Sequence, residues 1–82
     1  MYYGVVLSTC HGIIEEAKID KDSRIYEWEP LFYIKTPDGL TQVIHQGISG
    51  EVVSLEVIKG DKVVPGMVLA YIKEDFFVSA SD

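Results

Sequence analysis

Residues 50–73 read GEVVSLEVIKGDKVVPGMVLAYIK, and residues 12–35 read GIIEEAKIDKDSRIYEWEPLFYIK. Set one above the other without a gap, Gly12 stands over Gly50 and every later residue over one 38 positions on. Identities fall at Gly12/Gly50, Lys21/Lys59, Leu31/Leu69, Tyr33/Tyr71, Ile34/Ile72 and Lys35/Lys73. Apolar stands over apolar at Ile14/Val52, Ala17/Leu55, Ile19/Val57, Ile25/Val63 and Tyr26/Val64. Two copies are too few for a solenoid, which needs three or more stacked units to bury its faces. The reading is therefore two related half-motifs closing one shared core.

The local pattern is that of strands. No window holds the i, i+3, i+4, i+7 apolar spacing of a stable helix. Short apolar or alternating runs are instead broken by turn residues, which is the all-β signature. Strands are expected over 3–7, 12–19, 24–26, 31–35, 40–45, 50–58, 62–64 and 68–72. Between them lie Lys21-Asp22-Ser23, Pro37-Asp38-Gly39, Lys59-Gly60-Asp61 and Pro65-Gly66. Gly60-Asp61 suits a tight turn with a positive φ at its glycine. In Pro65-Gly66, proline fixes one φ and glycine supplies the positive one. Val57, Val63, Leu69 and Ile72 are expected to face the core.

Size and charge bound the rest. The 82 residues make one small domain, 1–82, with half-motifs at about 7–38 and 39–75. A 48% apolar content is enough for a core and too much for a disordered chain. A net charge of −6 and the absence of a basic run argue against a nucleic-acid partner. The single cysteine, Cys10, excludes an internal disulfide and a disulfide-stapled secreted fold. The opening MYYGVVLSTC lacks a basic leader segment, and no apolar run reaches the ~20 residues that span a bilayer. A cytoplasmic protein with no membrane partner is the expectation.

The second half resembles the G-x-V…V-x-x-G-D-x-V-x-x-G-x-x-L-x-x-I signature of biotinyl and lipoyl carrier domains. Gly50, Val57, Gly60-Asp61, Val63, Gly66, Leu69 and Ile72 carry that likeness, and residues 7–73 fit the wider pattern. The resemblance implies an all-β barrel-sandwich hybrid, a flattened eight-stranded β-barrel of two pseudo-symmetric four-stranded halves. Gly12, Gly50, Gly60, Asp61 and Gly66 are then its structural turn positions. The first half departs from the pattern. Asp22-Ser23 stands where the second half has Gly60-Asp61, and Glu27-Trp28 stands where it has Pro65-Gly66. A left-handed conformation is costly for tryptophan, so the turn at Trp28 is expected to be of another type. Trp28 itself reads either as a core or rim aromatic capping one end of the barrel, or as an exposed anchor for a partner.

In the resembling carriers, the hairpin that joins the halves presents a lysine, which is acylated by biotin or lipoate. Here that hairpin is LFYIKTPDGLTQV, residues 31–43. Counting from Gly12 puts the attachment position on Asp38; counting back from Gly50 puts it on Gly39. The disagreement implies a hairpin one residue longer than usual. Neither residue has an amine. Lys35 is the nearest one, and the half-motif alignment pairs it with Lys73 at an ordinary strand end. Biotin or lipoate is expected only if Lys35 is a displaced acceptor; otherwise there is no cofactor.

Other chemistry is thin. Cys10, His11 and His45 could contribute to a metal or small-ligand site, with Glu15 or Glu51 completing it, but their spacing matches no metal motif. Cys10 alone reads as a small buried residue. A Cys10-His11 catalytic pair would need an orienting group and a cleft, which a domain this small offers sparingly. Adjacent Glu15 and Glu16 would face opposite sides of a strand, so they do not converge; they and Glu27 and Glu29 read as solvated or rim positions. No catalytic residue is assigned. Phe76-Phe77-Val78 reads as an extra packed strand or an exposed apolar end, and residues 79–82 as frayed. The expectation is a non-catalytic module with a protein partner, monomeric or a weak homodimer.

Overall fold

The computed structural model describes residues 2–75. The reading of Phe76-Phe77-Val78 and of residues 79–82 lies outside the described residues. Eight strands follow one another: β1 (Tyr2–Leu7), β2 (Gly12–Ala17), β3 (Arg24–Ile25), β4 (Phe32–Lys35), β5 (Thr41–Ile44), β6 (Gly50–Leu55), β7 (Lys62–Val63) and β8 (Val68–Glu74). Every described strand coincides with an expected one. They form two antiparallel four-stranded sheets, ordered β1-β8-β6-β3 and β5-β4-β2-β7. This is the barrel-sandwich hybrid. Shifting each strand of one sheet by half the motif gives the other sheet: β1 becomes β5, β8 becomes β4, β6 becomes β2 and β3 becomes β7. No helix long and apolar enough to cross a membrane occurs among the described residues.

Strands β2 and β6 end sooner than the apolar pattern suggests, because the chain changes sheets there. After β2 it crosses to place β3 beside β6; after β6 it crosses to place β7 beside β2. Ile19 and Val57 are buried on these crossings although neither belongs to a strand. Burial thus continues past the end of strand pairing. Hydrogen bonds hold the two crossings alike. Lys18 N–H donates to Leu31 C=O at 2.8 Å and Glu56 N–H to Leu69 C=O at 2.9 Å.

The core has Val6, Ile14, Ile19, Ile25, Leu31, Phe32, Ile34 and Ile44 from one side of the joining hairpin's tip or the other. Val52, Val57, Val63, Leu69, Ala70 and Ile72 complete it. The four residues expected inside from the second half are all buried. The Tyr26/Val64 pair, matched as apolar by sequence, is instead half exposed or more, at 61% and 50%. Both side chains sit at the turns that close the crossings. Among the described residues no buried side-chain polar atom lacks a hydrogen-bond partner.

The strand alternation expected at Glu15-Glu16 fails. A bulge between Ile14 and Glu16 shifts the register with β4, and both carboxylates are exposed. An extra residue on one strand breaks the two-residue period locally. The same irregularity recurs between Val52 and Ser54 in the β6–β8 pair.

Arg24 of β3 ties down the end of β8. Its guanidinium pairs with Asp75 and lies 3.9 Å from Glu51, while Ser49 Oγ donates to Asp75 at 3.2 Å. The hydrogen bond from Arg24, with a smaller one from Ser49, holds the Asp75 carboxyl below its ordinary range. A carboxylate depressed in the folded state stabilises fully above its unfolded pKa and loses that contribution as pH falls through the folded value. Acid below the ordinary carboxylate range should therefore loosen the β3–β8 end. Asp75→Asn should flatten this part of the pH–stability curve, read by urea unfolding between neutral and acidic pH.

Candidate functional site

Two features stand out once the strands are placed: the tip of the joining hairpin and the turn at Trp28. The hairpin runs β4 to β5, with Phe32 opposite Ile44, Tyr33 opposite Val43, Ile34 opposite Gln42 and Lys35 opposite Thr41. Beyond Lys35 the turn closes on itself. Thr36 N–H donates to Leu40 C=O at 2.8 Å and Gly39 N–H to Thr36 C=O at 2.9 Å. The Thr36 hydroxyl donates to the Asp38 carboxylate and accepts the Leu40 N–H at 3.2 Å. Pro37 and Asp38 take the two central positions and Gly39 follows at φ 84°. That is the form of a three-residue hairpin loop with a left-handed residue last. Asp38 and Gly39 are exposed at the tip, and no lysine lies between β4 and β5. Lys35 is exposed, but it is the last residue of a paired strand.

The turn at Trp28 corrects the expectation of another turn type. Trp28 has φ 63°, and its half-motif counterpart Gly66 has φ 86°. The hydrogen bonds correspond too. Trp28 N–H donates to Gln46 C=O at 2.7 Å, as Gly66 N–H does to Ser8 C=O at 2.8 Å. Glu29 N–H donates to Tyr26 C=O at 3.3 Å, as Met67 N–H does to Val64 C=O at 3.1 Å. The Glu29 carboxylate also accepts the Tyr26 N–H at 2.7 Å, closing the turn from the other side. Asp22 repeats the lesson at φ 71° over Gly60 at φ 96°. The shared frame of backbone bonds fixes the conformation, at a cost of roughly 1–2 kcal/mol for a residue with a Cβ.

Trp28 is 63% exposed, so the core reading is overturned and the ring sits on the rim. It meets the His45 ring edge-on, with centroids 5.4 Å apart and planes at 72°. A Cβ at Gly47 would lie 2.6 Å from the indole, so that glycine leaves room for the ring. Nothing in the sequence marks Gly47, because the contact joins two turns from different halves.

The structure does not assemble Cys10, His11 and His45. Among the described residues no group of three or more His, Cys, Asp or Glu side chains could hold a metal ion. His45 packs on Trp28. Cys10 is half-buried rather than buried, packs against the core, and has its carbonyl capped by Ser8 Oγ at 2.7 Å. The carboxylates that might have completed a site are engaged elsewhere: Glu15 accepts the Thr41 hydroxyl at 3.3 Å, and Glu51 lies beside Arg24.

No protein-family model matches this chain, and no curated protein matches it. Among solved structures it is similar to part of the crystal structure of the Kluyveromyces lactis urea carboxylase, with a TM-score of 0.78 and 18% sequence identity. The match covers 89% of this chain and 6% of that one, so this chain spans a small fraction of the longer protein. At such identity the likeness bears on fold alone. Fold and likeness together define an all-β barrel-sandwich hybrid of two four-stranded sheets.

Proposed function

We propose that this chain is a degenerate biotinyl/lipoyl-like domain without an acceptor lysine, acting as a non-catalytic module that binds a protein partner. The observation that carries this reading is the joining hairpin. Its turn, Thr36 to Leu40, is closed by its own hydrogen bonds and offers no amine at Asp38 or Gly39. Lys35 is held one step back in a strand, opposite Thr41. The solved structure it resembles is a urea carboxylase in which the matched part is 6% of the chain, the scale of an accessory module. The partner surface is the Trp28 end, where an exposed indole is kept in a left-handed turn. Strain of this kind concentrates where a side chain must be presented, and tryptophan is enriched among interface anchors.

The test is intact mass after expression with biotin and lipoate ligases. The expected spectrum shows the unmodified chain alone. A biotinyl or lipoyl increment that disappears in Lys35→Arg would establish the alternative, a working carrier, and overturn this reading. Trp28→Gly supplies the complementary arm. It should relieve the left-handed backbone and leave stability equal or higher by up to about 1 kcal/mol in urea titration. It should also abolish capture of whatever partner the unaltered chain retains. Retained capture would move the interface elsewhere.

A further inference from the structure

An open groove of about 770 Å³ lies between the joining hairpin and β7, and it shares no residue with the Trp28 end. Its floor is β2. Ile13, itself 45% exposed, stands opposite Lys35 of β4 on one side and opposite Lys62 of β7 on the other. Neighbouring strands lie about 4.8 Å apart, so the two lysines stand roughly 10 Å apart with an isoleucine between them. Lys59 is a third lysine of the lining, and Pro37 and Val64 extend the apolar wall. Three of the seven lysines and arginines of a chain with net charge −6 thus line one groove. None of the three has a carboxylate partner among the described residues. The one acidic residue of the lining, Glu15, is engaged by Thr41.

We infer that this groove binds a small amphipathic carboxylate, its alkyl or aryl body on Ile13 and Val64 and its anionic head between Lys35 and Lys62. A mostly apolar concavity with a few convergent polar groups is the usual form of a small-molecule site, and the volume lies in the usual range of ~300–1,000 Å³. Charge selects the ligand's sign: a local excess of cations on an acidic protein favours an anion and disfavours its cationic analogue. The apolar strip between the lysines disfavours inorganic anions, which would leave Ile13 uncovered. The site holds its ligand without covalent attachment, so it stands independently of the reading given above.

The probe is monomeric decanoate, followed by ¹H–¹⁵N spectra of the whole chain, with decylamine and decanol in parallel. Decanoate should shift Gly12, Ile13, Lys35, Gly39, Gly60 and Lys62 while leaving Trp28 and Gln46 in place. Decylamine should bind roughly tenfold more weakly or not at all. Lys35→Gln with Lys62→Gln should weaken decanoate by about tenfold, the size two partly exposed charge contacts supply, with the melting temperature unchanged. Ile13→Glu should abolish binding. Equal binding of decylamine, shifts centred on Trp28, or unchanged affinity in the double lysine variant would overturn the proposal. So would binding seen only with phosphatidylglycerol vesicles or an acidic peptide.

Discussion

Gly50→Ala is expected to cost about 3 kcal/mol or more of folding stability and to leave little native protein at elevated temperature. A Cβ on Gly50 would sit 2.2 Å from the Lys73 carbonyl oxygen and 3.0 Å from the Glu74 Cα. Both obstacles are backbone, in the strand that pairs with β6, so no side chain can swing aside. Gly50 is itself buried and paired on both flanks, with Glu74 of β8 and Ile25 of β3. The backbone there is not among the positive-φ residues, so the penalty is one of space and not of conformation. Gly39→Ala provides the contrast. Its Cβ would meet nothing within 4 Å, and only the left-handed φ of 84° opposes it, a cost of roughly 1–2 kcal/mol. A domain of this size has on the order of 4–12 kcal/mol in total, so the two variants should separate cleanly in urea unfolding. Gly12→Ala should resemble Gly50→Ala, since its Cβ would lie 2.4 Å from the Lys35 carbonyl oxygen. If Gly50→Ala cost less than Gly39→Ala, close strand approach would not be what this glycine serves.

The strands and most of the core were legible because their signal is local. Val57, Val63, Leu69 and Ile72 sit in short runs bounded by turn residues, and each is buried as read. The correspondence of the two halves was legible too, since it is written in paired residues such as Gly12/Gly50 and Ile34/Ile72. Single-residue preference is a poorer guide where several residues set a conformation together. Tryptophan's own preference disfavours a left-handed turn at Trp28, yet two backbone hydrogen bonds equivalent to those of the Gly66 turn impose it. A frame of several bonds outweighs a cost of roughly 1–2 kcal/mol at one position. The two-residue strand period puts Glu15 and Glu16 on opposite faces, and the bulge after Ile14 interrupts it. The groove was invisible for another reason. Lys35 and Lys62 flank one groove only because Ile13 pairs with both strands at once. That juxtaposition depends on β7 crossing into the other sheet, which no local pattern records.

Phe32→Ala should remove about 3–5 kcal/mol, the range for truncating a buried phenylalanine. Phe32 is wholly buried in β4, the strand between β5 and β2, and faces Ala17 on one side and Ile44 on the other. Its half-motif counterpart is Ala70, which is also wholly buried. The two halves therefore fill equivalent places unequally, with a large side chain in one and a small one in the other. Truncation at Phe32 would leave alanine in both. The ladders on either side of β4 pin its backbone, so the strands have little freedom to close on the space. A transition temperature lowered on the order of 15–30 °C follows from the usual scaling for domains of this length. Phe32→Leu should recover much of that loss by restoring volume. Tyr33→Ala, on the half-buried opposite face of the same strand, should cost distinctly less. A loss below about 1 kcal/mol for Phe32→Ala would mean that the halves can repack around alanine at both places, and that the unequal pair is incidental to how the barrel closes.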